Sequence, residues 1–307
     1  MQNGNGAGRA SGADRMVRAT AYDGRVRAFA LDATGVVAEM QRRHGTAPGA
    51  SAALGRTAMG ALLFGAASLK EPSQVLSVEI RGDGPLGRIL CTATGGGEVR
   101  GLVSNPAAHA PGTTPGKLNV AGVVGTRGYV SVTKHLGLRE PYQGMTELQS
   151  GEIGDDLANY LVRSEQIASA VGVGVFVETD NTVSAAGGYL IQLLGGLDDD
   201  EVTAMENRLS RLPHPTVLIG DGVTPEEVLA RIFPGGEHAI LDGYPVRFHC
   251  PCSMERFEAA IVSLGADEVT RIIEEEDQPF TEVVCHFCNE SYRFSPDRMR
   301  AILEAAR

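Results

Sequence analysis

The chain has 307 residues, 43% hydrophobic and 21% charged, with a formal charge of −11 and no tryptophan. A chain of this size buries a sizeable core as one large domain or two smaller ones. No apolar run reaches the roughly 18 residues of a membrane span, since stretches such as 58–69 are broken by glycines, so no membrane association is expected. Basic and acidic side chains number 17 and 16 over residues 1–197, 3 and 10 over 198–244, and 7 and 12 over 245–307. An acidic C-terminal segment argues against nucleic-acid binding, which needs clustered Lys and Arg to displace counterions.

Residues 1–15 are small and polar with no apolar h-region, and read as a disordered tail rather than a signal peptide. A cytoplasmic protein is expected, and a reducing compartment favours metal binding or redox chemistry for clustered thiols over a static disulfide framework.

Residues 16–194 mix strands and helices. The alternation in 26–34 predicts a half-buried strand, and the Ala- and Leu-rich 49–70 a packed helix. Residues 75–94 read as two strands joined by a turn, followed by further short strands in "VRGLVSN" and "GYVSVTKHL". The segment 150–171 reads as helical through its middle, where Leu157, Tyr160 and Leu161 recur at helical spacing. Strand character returns in "VGVGVFVET" and "SAAGGYLIQLL". The predicted fold class is α+β: a mixed α/β N-terminal domain (16–194), a helical linker (195–243) and a small C-terminal zinc-binding domain (244–307).

Within the linker, one predicted helix carries an apolar stripe of Val202, Met205, Leu209 and Leu212, ended by Pro213 and Pro215. A second opens with Thr224 as N-cap and Pro225 in the first helical position. The stripe must be covered in the folded state and is adhesive once uncovered.

Four of the five cysteines lie in the last sixty residues. Extended backbone at 244–252 aims the sulfurs of Cys250 and Cys252 to one side. A helix capped by Ser253 and a second over 267–276 bring the chain to a hairpin turning at Cys285 and Cys288, and a helix capped by Ser295 closes it. Sixty residues of this kind make a thin core that needs a staple, and structural zinc supplies about 10–16 kcal/mol of apparent binding energy. Four thiolates leave no coordination position for water, which excludes a hydrolytic metal centre. His249 and His286 each adjoin a candidate ligand and are the alternatives. Oxidants convert such thiolates to sulfenic acid and then to disulfides, which no longer hold zinc.

The pattern Cys-x-Cys, 32 residues, Cys-x-x-Cys at the C-terminal end of a chain of this length resembles the heat-shock protein 33 family of redox-regulated chaperones. The segments "ALGRTAMGALLFGAASLK", "IRGDGPLG", "VRGLVSNP", "GKLNVAG", "PYQG" and "LVRSEQ" are similar to successive landmarks of the same family. The resemblance implies an ATP-independent holdase, idle when reduced with one Zn²⁺ per chain. Oxidation then releases the zinc, unfolds the C-terminal domain and frees the linker to capture unfolding client proteins. It implies Cys250, Cys252, Cys285 and Cys288 as ligands and sensors, disulfides joining Cys250 with Cys252 and Cys285 with Cys288, and a homodimer on oxidation. The rival expectation is an enzyme of unknown substrate in which the same zinc is an inert staple.

Other signals carry less. "GDGPLG" at 82–87 matches G-x-G-x-x-G but contains Pro85 and leads into a strand, so it reads as a turn. Cys91 reads as a small core residue. Ser164, Glu165 and Gln166 match a family landmark without any chemistry legible for them.

Overall fold

The computed structural model describes residues 14–112, 117–275 and 279–306. The chain divides into two compact units, one through Phe248 and one from His249.

The first unit is built on two sheets. Strands β1 (Arg15–Ala21), β2 (Val26–Asp32), β3 (Val75–Gly82), β4 (Arg88–Thr94), β5 (Glu98–Val103), β6 (Gly128–His135), β7 (Tyr142–Glu147), β8 (Ser169–Val177), β9 (Val183–Leu193), β10 (His238–Pro245) and β11 (Arg247–Phe248) alternate with helices α1 (Thr34–His44), α2 (Pro48–Ser68), α3 (Val120–Val124), α4 (Gly154–Arg163), α5 (Asp199–Arg211), α6 (Pro215–Gly220) and α7 (Pro225–Ile232). One sheet runs β10-β1-β2-β9-β8 and is antiparallel throughout. The other runs β11-β5-β4-β3-β6-β7, parallel only at β11 and β5.

Helix α2 explains the architecture. Eighteen of its 21 residues, from Gly49 to Ala66, are buried, so it has no solvent face and must be covered all round. It packs against β3, β4 and β5 of one sheet and β2, β8 and β9 of the other. Close approach is possible because a Cβ on Gly55 would lie 2.6 Å from Val37 Cγ1, and one on Gly60 2.4 Å from Leu157 Cδ1.

The outer face of the first sheet is apolar as well. Val17, Ala19, Ala21, Val26, Ala28, Ala30 and Ile191 form a second core with Met205, Leu218, Val228, Leu229, Ile232 and Phe233. Helix α7 lies on β1 and β2, α6 on β8 and β9, and α5 against α7. Arg25 fixes the start of this layer, bonding both oxygens of Glu201 at 2.8 and 2.9 Å and the Gly196 carbonyl at 2.7 Å. Asp198 and Glu201 cap α5 reciprocally, as Thr224 and Glu227 cap α7.

The second unit holds α8 (Met254–Val262), α9 (Ala266–Glu275), the hairpin β12 (Thr281–Val284) and β13 (Ser291–Phe294), and α10 (Pro296–Ala305). Among the described residues its buried core is small: Ile261, Val269, Phe294, Met299 and Ile302.

The mixed α/β body and small cysteine-bearing unit agree with the α+β expectation, while several boundaries differ. The tail expected over 1–15 lies outside the described residues up to 13, but Asp14 and Arg15 belong to the fold. Asp14 accepts hydrogen bonds from Gly35 and Val36 at the start of α1, and Arg15 begins β1. The helix read through the middle of 150–171 is α4, with Leu157, Tyr160 and Leu161 buried, and β8 begins at Ser169. The stretch 195–243, read as helical, ends in β10, which takes its strand conformation from pairing with β1. Arg247 and Phe248 pair with β5, so the second unit starts at His249 rather than 244.

Candidate metal centre

The two cysteine motifs reach the same point from different local structures. Cys250 and Cys252 lie in irregular chain before α8, which starts where the Ser253 hydroxyl accepts from the Arg256 amide. Cys285 and Cys288 form the turn of the β12–β13 hairpin. There the Cys285 amide donates to Glu290 O at 2.9 Å, while the Cys285 carbonyl accepts from Cys288 N at 3.2 Å and Asn289 N at 2.7 Å. Asn289 takes the left-handed φ of 56° that closes this knuckle.

All four sulfurs lie within 4.8 Å of one another. Cys250 Sγ is 3.7 Å from Cys285 Sγ, and Cys252 Sγ is 3.3 Å from Cys288 Sγ. A regular tetrahedron with metal–sulfur bonds of 2.3 Å has edges of about 3.8 Å, so the spacing suits one four-coordinate ion. His249 and His286 are exposed and outside the cluster among the described residues.

Electrostatics supports the same reading. Burial pushes the Cys285 and Cys288 thiols up, and neighbouring Cys250 raises both further. Four thiolates this close repel one another unless a cation compensates them, and a soft divalent ion does so. The Tyr292 hydroxyl donates to Cys252 Sγ at 3.2 Å, and its ring packs on Phe257 with centroids 4.9 Å apart. Sequence reasoning missed Tyr292, although its place four residues after Cys288 on a hairpin strand turning back on the site was a usable signal.

The linker residues are covered. Met205 is buried, and Leu209 and Leu212 pack beside it in the second core, whereas Val202 is half-buried outside that cluster. The reading of α5 alone missed the larger apolar surface on α6, α7 and the sheet, whose residues are spread from 17 to 233.

Three further motifs resolve into structural roles. "GDGPLG" is the β3–β4 turn, where a Cβ on Gly84 would lie 2.4 Å from Val123 O, leaving no room for a pyrophosphate. Cys91 is fully buried, its thiol pKa raised by burial, 3.8 Å from the Leu54 carbonyl. Glu165 ties the end of α4 to β6, accepting from Lys134 Nζ at 2.8 Å and from Tyr160 OH at 3.0 Å, while Gln166 holds a left-handed φ of 58°. No helix among the described residues is long and apolar enough to cross a membrane.

Comparison with known proteins places these features. A family model described as "Hsp33 protein" matches residues 14–295. The 33 kDa chaperonin of Bacillus subtilis is 51% identical over 289 residues, covering 94% of this chain and 98% of that protein. That of Desulforamulus reducens is 47% identical over 291 residues, covering 95% and 97%. The crystal structure of the 33 kDa chaperonin (heat shock protein 33 homolog) of Thermotoga maritima superposes with a TM-score of 0.87 at 33% identity, over 95% of this chain and 98% of that one.

Proposed function

The chain belongs to the Hsp33 chaperone family, and from that premise we propose that it is an oxidation-controlled, ATP-independent holdase. The convergence of four sulfurs from two distant motifs carries the reading. In the reduced state Cys250, Cys252, Cys285 and Cys288 hold one Zn²⁺, which closes the second unit over its five-residue core. A thiolate attacks peroxide and hydroxide leaves; the neighbouring thiolate then attacks the resulting sulfenic sulfur, its S–O bond breaks and a second hydroxide leaves, both hydroxides taking up protons from solvent. Each disulfide thus reduces one peroxide to two waters. The proposed pairs are Cys250 with Cys252 and Cys285 with Cys288, and neither pair retains the metal.

Loss of zinc then unfolds the second unit, from His249 onwards, and frees the linker (195–243) from the N-terminal chaperone domain (16–194). His249 alone separates Cys250 from β11, and Val246 alone separates β11 from β10, so disorder at the cysteines begins close in sequence to the strand that ends the linker. The surface this uncovers includes Met205, Leu209, Leu212, the half-buried Val202, and the sheet face of Val17, Ala19, Val26 and Ala28. These apolar groups are the candidates for client binding, and the acidic side chains around them keep the opened form soluble. The oxidised protein forms a homodimer and works in the reducing cytoplasm, binding neither nucleic acid nor membranes. Its relatives are named chaperonins, and the reading contains no enzymatic turnover.

The test treats reduced, zinc-loaded protein with peroxide under mild heat, or with hypochlorite, and follows zinc release alongside suppression of client aggregation. The two are expected to rise together, with disulfide mapping returning the two pairs within the motifs. Zinc release without client protection would make the metal a staple and send the search for function to the first unit.

A further inference from the structure

The first unit holds an open cleft of about 890 Å³ that the chaperone reading leaves unused. Helix α2 contributes Arg56, the chain before α3 contributes Lys117, the end of β8 contributes Val175 and Val177, α3 contributes Val123, and the linker contributes His214. Arg56 is only 9% exposed. It donates from Nη1 to Glu152 Oε2 at 2.8 Å and to the Glu152 carbonyl at 3.2 Å, yet its Nε has no acceptor among the described residues. That Nε is closed off from solvent, so a ligand in the cleft meets the rest of the guanidinium rather than this atom. Glu152 offsets the Arg56 charge, and Lys117 makes no ion pair among the described residues. The acid that also lines the cleft, Glu178, is exposed, as is His109.

We propose that this cleft binds a small organic monoanion, a carboxylate on a short apolar chain, with the acid among Arg56, Lys117 and His214 and the chain on Val123, Val175 and Val177. A cavity of this size with apolar walls and a few convergent polar groups suits a small molecule, and a charge-assisted bond to Lys117 orients it. Burial, followed by Arg56 and Lys117, which outweigh Glu152, keeps His214 neutral in the empty cleft. A bound anion opposes that balance, so binding takes up a proton at His214 and strengthens as the solution becomes more acidic. His214 caps α6 with its neutral ring, so a bound anion that protonates it weakens that cap and eases release of the linker. That regulatory half rests on the chaperone reading.

The probes are hexanoate and hexylamine, of equal chain length and opposite charge, titrated calorimetrically into reduced, zinc-loaded full-length protein. Saturable binding of hexanoate and none of hexylamine is expected. Lys117→Gln, an exposed position that leaves the core intact, weakens hexanoate about tenfold with no change in melting temperature. Absence of saturable hexanoate binding, or equal affinity in Lys117→Gln, overturns the site. If hexanoate binds but oxidative activation proceeds at the same rate with it, the regulatory half is overturned. A failure to protect clients even without hexanoate strikes the chaperone reading instead and leaves the binding result standing.

Discussion

The Tyr292 hydroxyl sits 3.2 Å from Cys252 Sγ and donates to it, so one of the four sulfurs is held by a side chain as well as by its place in the cluster. That hydrogen bond is the chief reason the Tyr292 phenol is pushed above its usual pKa. It also withdraws charge from the thiolate and lowers its nucleophilicity towards peroxide. Tyr292→Phe keeps the ring against Phe257 and removes only the donor. Peroxide-driven zinc release, read with a chromogenic chelator, is expected to accelerate roughly threefold, a fraction of the about 1.5–3 kcal/mol that a hydrogen bond to a charged group is worth. An unchanged rate would show that the hydroxyl does not tune the sulfur.

On the proposed reading, the metal matters more to the second unit than its own core does. Ile261, Val269, Phe294, Met299 and Ile302 cannot alone offset the ordering of some sixty residues, whereas structural zinc supplies about 10–16 kcal/mol. Chelation of the reduced protein is therefore expected to melt α8, α9 and α10 while leaving the main transition of the first unit in place. Cys285→Ser produces the same two-part behaviour without chelator. Circular dichroism during heating reads both, and a single transition at an unchanged temperature would contradict the role given to the metal.

Local chemistry was legible in the sequence wherever it was self-contained. The cysteine spacing, the Thr224, Ser253 and Ser295 caps, and the apolar stripe of α5 depend on residues within a few positions of one another. Helix α1 escaped because its capping acceptor is Asp14, 20 residues before Thr34 and next to the tail reading. Strand β10 escaped for a related reason. Gly243 and Pro245 are tolerated because it is an edge strand, and its partner β1 lies more than two hundred residues earlier. The second core draws on both ends of the first unit, so no window of sequence contains it.

That core gives a way to release the linker without an oxidant. Leu229 on α7 is fully buried against the sheet, and Leu229→Ala removes packing worth about 2–5 kcal/mol. The reduced, zinc-bound variant is expected to exchange amide hydrogens faster across 199–232 and to suppress client aggregation without peroxide. Glu206→Ala, on the exposed side of α5, serves as the control and stays idle. Faster exchange with no client protection would separate linker release from client binding.

Acidity acts on the same layer through His214. Its Nδ1 lies 2.8 Å from Thr216 Oγ1 and accepts from the Thr216 amide at 3.4 Å, an acceptor role open only to the neutral ring. Burial first, then Arg56 on α2 and Lys117 before α3, lower its pKa from the usual 6.5, with Glu152 opposing them. The folded state therefore binds fewer protons than the unfolded state in the window below 6.5. The stabilising contribution is present above that pH and is lost as pH falls through the folded value. Between pH 7.5 and 5.5, protection of the amides of 215–220, corrected for intrinsic exchange, is expected to fall. His214→Asn keeps a capping acceptor without a titrating ring and flattens the dependence. An equal loss of protection in His214→Asn would assign the pH response to another group.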